Sequence, residues 1–196
     1  YANNLEGRFA FIVNDVEVYC TGSNWVPLSP YHSMDADRYE TALGLFHECG
    51  CNILRCWGGN VYEDHKFYDL CDKYGIYLED EANIESHQYY YGDASLSHVK
   101  EFRNAHVARV MEMAHATINS PSVCIWSLGN EAGPGNNFVE AYKELHAFDS
   151  SRPVQYERNN NIVDMGSNQY PSIGWTREAV KGKMGIVYPF HISEYA

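Results

Sequence analysis

Short apolar runs alternate with amphipathic helical segments along most of this chain, and that alternation narrows the available architectures more than any single residue does. Tyr39, Ala42, Leu43, Phe46 and Cys49 recur at spacings of three and four, which predicts a helix stopped by Gly50. Residues 52–57 then read as a short buried strand. Phe67, Leu70, Cys71 and Tyr74 form the next helical face, closed by Gly75, a residue suited to the left-handed position that ends helices. A strand from Ile76, a long helix from Val99 to about Ile118, and an apolar strand from Val123 to Leu128 follow. Phe138, Ala141, Tyr142, Leu145 and Phe148 mark another helix, and Pro153 to Tyr156 another strand. Regularity fades after Arg158. Asn159, Asn160 and Asn161 read as a turn, Ile173 to Val180 as a short helix, and Tyr188 to Ser193 as a final strand.

Strands separated by helices imply βαβ units and parallel pairing. Strands are expected near 19–24, 52–57, 76–81, 123–130, 153–157, 165–170 and 188–194. Seven is one fewer than the eight of a closed (β/α) barrel. The expected class is therefore α/β, a compact TIM-type (β/α)8 barrel lacking its eighth β/α unit. With 196 residues, one domain over 1–196 is expected. Residues 20–196 form its barrel, and residues 1–19 differ in kind. There Phe9 to Val13 and Val16 to Tyr19 flank Asn14-Asp15, the pattern of a β-hairpin.

A formal net charge of -12 argues against a nucleic-acid partner, which would need clustered Lys and Arg. No apolar run approaches the roughly 18 residues of a membrane span. The start shows no charged-then-apolar leader. Of the six cysteines, Cys20, Cys56 and Cys124 lie in strand-like runs, while Cys49 and Cys71 fall at core spacing on helices. Cys49-Gly50-Cys51 is too short to clip zinc by itself. Reduced structural thiols are expected, and with them a reducing, cytoplasmic setting.

Chemistry gathers at strand ends. Glu131 and Glu194 each follow an apolar run, and carboxylates at the carboxyl ends of two parallel barrel strands can face one pocket. Two facing carboxylates are the minimum apparatus for breaking a glycosidic bond. Either could instead cap a helix or sit in solvent. Asn130 offers an amide for a ligand hydroxyl. The run 79–87 crowds Glu79, Asp80, Glu81, Glu85 and His87 together, and Glu85 and His87 share a side in extended geometry. With Glu131 they could ligate a hard divalent ion such as Mg²⁺, although a solvated acidic loop reads the same way. Arg55 is suited to orient a neighbouring carboxylate. Trp25 and Trp57 would serve as an aromatic platform or as packing. The helical histidines His47, His106, His115 and His146 are assigned to surface or packing.

These residues resemble the catalytic barrel of family 2 glycoside hydrolases, from about Phe9 to Ala196. Residues 121–123 and 126–131, ending in Gly129-Asn130-Glu131, look like the acid/base strand of β-galactosidases. Asp80 to His87, Ser151 to Glu157 and Ile192 to Ala196 are similar to β-galactosidase segments as well. Gly22 to Leu28 and Arg55 to Asp64 look like β-mannosidases of the same family. The resemblance implies Glu131 as general acid/base and Glu194 as nucleophile. Asn130, Arg55, Tyr170, Asn24 and Trp57 would form the substrate-binding set: Asn130 holding the 2-hydroxyl, Arg55 orienting Glu194, and Tyr170 hydrogen-bonding it. It further implies Mg²⁺ at Glu85, His87 and Glu131. The expected function is retaining hydrolysis of terminal β-D-galactosides. The alternatives are a β-mannosidase of the same family, or a truncated or engineered barrel that at most binds sugar. A carbohydrate substrate, no nucleic acid, no membrane, and either further domains of a larger chain or association of copies complete the expectation.

Overall fold

A computed structural model describes residues 2–3, 9–27, 36–59, 63–87, 94–157, 161–185 and 189–195. The turn residues Asn159 and Asn160, Tyr188, and the motif residues Leu28, Asn60, Val61, Tyr62 and Ala196 lie outside them. At the front, β1 (Ala2–Asn3), β2 (Phe9–Val13) and β3 (Val16–Val18) form a small antiparallel sheet. Asn14 and Asp15 both take left-handed φ, +50° and +64°, the backbone of a tight hairpin turn. The hairpin is as expected, and the β1 strand is an addition to it.

Seven parallel strands follow among the described residues. β4 (Gly22–Trp25), β5 (Ile53–Cys56), β6 (Tyr77–Glu81), β7 (Val123–Ser127) and β8 (Val154–Gln155) pair in sequential order. β9 (Gly166–Gln169) pairs with β10 (Phe190–Glu194), and a parallel bridge from Gln155 to Met165 links the two groups. Between them run α1 (Ala36–Glu48), α2 (His65–Tyr74), α3 (Arg103–Thr117), α4 (Asn136–Phe148) and α5 (Ile173–Ala179). Asp64 caps α2 by accepting from the Lys66 amide, and Gly75 ends it at φ +67°. The long helix starts later than its pattern predicts. Residues 100–102 form a 3₁₀ turn before α3 begins at Arg103.

Register sorts each strand's side chains. Trp25, Cys56, Asp80, Trp126 and Val154 are successive cross-strand partners. They lie on the outer face, where Leu43, Phe67, Val110, Phe138 and Leu145 from the helices complete the main core. The alternate positions, among them Asn24, Arg55, Glu79, Glu81, Ser127 and Gln155, line the inside, so polar groups occupy the upper barrel. Below them Phe11 of the hairpin meets Ile125 and Met165, and its ring packs edge-on to Tyr77 with centroids 5.4 Å apart. The hairpin thus plugs the floor. No ladder joins β4 to β10 among the described residues. A cavity of about 380 Å³ opens there, lined by Gly22, Asn24, Glu79, His191 and Glu194.

Trp25 is a packing residue: it sits in a ring cluster with Tyr39 and Phe67 and donates to Glu63. All six cysteines are free thiols, but Cys49 is exposed rather than at the core, because α1 ends one residue earlier. His106 packs edge-on against Phe138, and His47, His115 and His146 lie against Tyr74, Phe148 and Tyr142.

Asp80 is the exception in the outer core. Tyr68 and Thr117 donate to its carboxylate, yet burial pushes its pKa up to about 7. A carboxyl whose folded pKa exceeds its unfolded value of 3.8 binds more protons folded than unfolded, so stability falls as pH rises between those two values. Glu157, pushed up to about 8 chiefly by burial, acts in the same sense. Melting temperature should therefore decline from about pH 4 to 7, and Asp80→Asn should flatten that decline; an unchanged slope would show that Asp80 is not the source.

Candidate active site

Arg55 is the centre of the barrel mouth. It is buried, and register sets Asn24 on one side of it and Glu79 on the other. All five of its N–H donors are engaged. Nε and Nη2 form a fork with Glu81, at 2.9 and 2.8 Å. Nη2 also donates to Asn130 Oδ1 at 2.7 Å, while Nη1 donates to Glu194 Oε1 at 2.8 Å and to Asn24 Oδ1 at 3.3 Å. Burial alone would lower the arginine pKa, but the charges of Glu81, Glu79 and Glu194 raise it, so the guanidinium stays charged.

The run 79–81 is not a solvated loop. Glu79, Asp80 and Glu81 are 4%, 0% and 2% exposed and belong to β6. Burial raises the Glu81 pKa against the pull of Arg55, even though Ser127 and the Gly58 amide also donate to it. Glu79 goes the other way. Burial would raise its pKa, but His191, Arg55 and Gln155 together hold it below the usual carboxylate value. His191 Nε2 lies 3.2 Å from Glu79 Oε2, and Gln155 donates to Oε1 at 2.6 Å.

Glu194 sits at the end of β10 beyond a bulge between Ile192 and Glu194, which makes it the cross-strand partner of Gln169. A bulge turns a side chain away from the simple alternation of a strand. Besides Arg55, Gln169 Nε2 donates to Glu194 Oε1 at 2.8 Å, and the Tyr170 hydroxyl donates to Oε2 at 2.7 Å. That bond to Glu194 also raises the Tyr170 pKa.

Glu131 arrives by a different route. Past the ends of β6 and β7, a parallel bridge between Glu85 and Asn130 carries the pairing onward, with the Asn130 amide donating to the Ile84 carbonyl at 2.8 Å. Gly129 must be glycine here. Its φ is +151°, and a Cβ would stand 2.8 Å from the Ile84 carbonyl oxygen. Glu131 then takes φ +43°, and its amide donates to the buried Glu157 at 2.8 Å. Tyr170 has φ +47°. Strained non-glycine residues of this kind concentrate at functional sites.

The bridge also sets Glu131 beside the end of β6. His87 Nδ1 lies 2.6 Å from Glu131 Oε2 and 3.9 Å from Glu85 Oε1. One ligand atom from each of Glu85, His87 and Glu131 falls within 4.8 Å of the others. Two carboxylates and an imidazole at that spacing fit a hard divalent ion that keeps several waters.

Arg55, Asn24, Asn130, Tyr170 and Glu194 are thus joined by direct hydrogen bonds, and Glu85, His87 and Glu131 form an adjoining cluster. Trp57 stands apart: its half-buried ring covers Gly59, where a Cβ would overlap it, and no hydrogen bond ties it to the cluster among the described residues. Sequence reasoning missed Gln169, Glu157 and His191. The signal for each was a polar residue at or near the end of a short strand.

Arg55 thus spans glutamates of β6 and β10 at a polar barrel mouth. Residues 7–195 match the family described as glycosyl hydrolases family 2, TIM barrel domain. A β-galactosidase of Vibrio cholerae serotype O1 is 44% identical over 127 residues, covering 64% of this chain and 12% of its own length. A β-galactosidase of Lactococcus lactis subsp. lactis is 42% identical over 150 residues, covering 74% and 14%. The fold is similar to that of β-glucuronidase 2 from Bacteroides uniformis, with a TM-score of 0.73 at 14% identity, over 94% of this chain and 25% of that one. The chain belongs to glycosyl hydrolase family 2 and corresponds to its TIM barrel domain. It spans only about an eighth of the length of those two β-galactosidases. Among the described residues, no helix is long and apolar enough to cross a membrane.

Replacing Arg55 by Met should leave Glu79, Glu81 and Glu194 without their shared cation. The expected cost is about 3–5 kcal/mol in urea unfolding at neutral pH, the usual penalty for breaking a buried ion pair on one side. A loss well under 1 kcal/mol would show that the cluster is not held by this charge.

Proposed function

We propose that the protein is a retaining glycosidase acting on terminal β-D-galactosides. The observation that carries this reading is that Arg55 donates to Glu194 and to Asn130 at once, so the strand bearing one candidate carboxylate and the loop bearing the other are fastened to the same group. Glu194 attacks the anomeric carbon and forms a glycosyl-enzyme bond. Glu131 gives its proton to the departing oxygen, then takes one from the water that releases the sugar. Arg55, Gln169 and Tyr170 all donate to Glu194, so three hydrogen bonds hold the attacking carboxylate in place. With its carbonyl oxygen already engaged, Asn130 has its amide N–H groups left for a sugar hydroxyl.

The galactoside assignment rests on the identity to β-galactosidases, since the fold alone is shared with glycosidases of other specificity. Glu194→Gln should abolish hydrolysis with little change in melting temperature, and activity retained in that variant would remove Glu194 from the nucleophile role. Nitrophenyl β-galactoside should be cleaved faster than the β-mannoside. The reverse order would favour a mannosidase, and calorimetric sugar binding without product would favour a barrel that only binds.

Glu85, His87 and Glu131 are the residues that would hold Mg²⁺. The ion would supply a fixed positive charge beside the acid/base. Treatment with EDTA should lower activity and added Mg²⁺ restore it, and the response should vanish in Glu85→Gln; full activity after chelation would leave these residues without a metal role.

A further inference from the structure

Gln169 lies outside the residues that the sequence singles out, yet it bridges two groups of the site. It is buried, 7% exposed, on β9, directly opposite Glu194 in the ladder. Its Nε2 donates to Glu194 Oε1 at 2.8 Å and to Asn130 Oδ1 at 3.1 Å. Which end of each amide faces which neighbour follows from Arg55, because a guanidinium only donates. Arg55 Nη2 lies 2.7 Å from Asn130, so Asn130 must present its carbonyl there. Gln169 then faces two acceptors, that carbonyl oxygen and a carboxylate oxygen, and must present its NH₂ group. Turned over, its own carbonyl would oppose both.

Both N–H bonds of one amide nitrogen are thereby spent on two different working groups. The remaining atom, Gln169 Oε1, is buried with no hydrogen-bond partner among the described residues. A buried acceptor left unpaired costs about 1–3 kcal/mol. A residue placed only for stability would be expected to satisfy that atom, or to be replaced by an apolar side chain of similar size. Glu194 Oε1 accepts from both Arg55 and Gln169, while Oε2 accepts from Tyr170. The carboxylate therefore cannot rotate about its last bond without breaking charge-assisted hydrogen bonds.

We propose that Gln169 is a positioning residue for sugar transfer to Glu194, its amide nitrogen tying the attacking carboxylate to the side chain of Asn130 and fixing both against the sugar ring. This rests on the glycosidase reading above. A misplaced reacting group slows the chemical step far more than it weakens binding. Loss of a charge-assisted hydrogen bond corresponds to roughly ten- to a hundredfold in rate.

The test uses the purified protein, its Gln169→Met variant of similar volume, and Gln169→Glu, in which a carboxylate replaces the donor. Each is treated with an activated 2-deoxy-2-fluoro-β-D-galactoside, which accumulates the glycosyl-enzyme. The saturating rate of inactivation then reports the attack of Glu194. Q169M is expected to show the ten- to hundredfold loss in that rate and in kcat. KM and melting temperature should hardly move. Q169E should be slower still, since it sets a third acceptor against Glu194 and Asn130. Parental inactivation rates in Q169M overturn the proposal. So does a lower melting temperature with unchanged rates per folded molecule, which is what a purely structural role gives. Should Q169M fail to fold, Q169E decides alone by the same criteria. Absence of labelling at Glu194 in the unsubstituted protein overturns the glycosidase reading itself, and the Gln169 role with it; labelling there with unaffected variants overturns only the latter.

Discussion

One buried guanidinium imposes order on the upper barrel. Glu79, Glu81 and Glu194 converge there from two strands that are distant along the chain, and without a cation among them their burial would be prohibitive. Arg55 answers this with a rigid planar fork rather than a mobile point charge, so the carboxylates are held in direction as well as in place. The donor-only character of that group then propagates outward. It dictates the amide orientation of Asn130, and through Asn130 that of Gln169. Geometry at the candidate nucleophile is therefore set by Arg55 both directly and by way of Asn130 and Gln169.

Much of the architecture was legible because it depends on local periodicity. The helical faces from Tyr39 and from Phe67, and the strands ahead of Glu131 and Glu194, all fell near their expected places, since apolar spacing at 3.6 or in short continuous runs reports burial directly. The boundaries slipped where tertiary contacts decide them. β8 pairs over only two residues although four suit a strand, and Cys49 fits the helical pattern yet falls past the helix end. The acidic run in β6 was ambiguous for a different reason. Nothing local distinguishes Glu79 and Glu81, which face the barrel interior, from solvated carboxylates. Only the partner strand carrying Arg55 resolves it. Gln169, Glu157 and His191 escaped for the same cause, because their significance lies entirely in what stands opposite them.

Backbone irregularity marks the same region. The bulge before Glu194 and the left-handed residues Glu131 and Tyr170 all lie where regular pairing stops and the barrel mouth begins. Regular strands offer side chains in two fixed directions only. Three departures from regularity aim carboxylate and hydroxyl groups along lines that an ideal sheet does not provide, and each is secured by a specific bond: Glu131 by Glu157, Tyr170 by the Glu194 carbonyl, and Glu194 by its three donors.

Between β4 and β10, contact passes from backbone to side chains. No backbone ladder runs there among the described residues, and side chains, Arg55 to Glu194 and Glu79 to His191, link β10 to β5 and β6 instead. Side chains of β5, β6 and β10 therefore meet inside the ring, and the cavity beside them is walled by groups that hold one another.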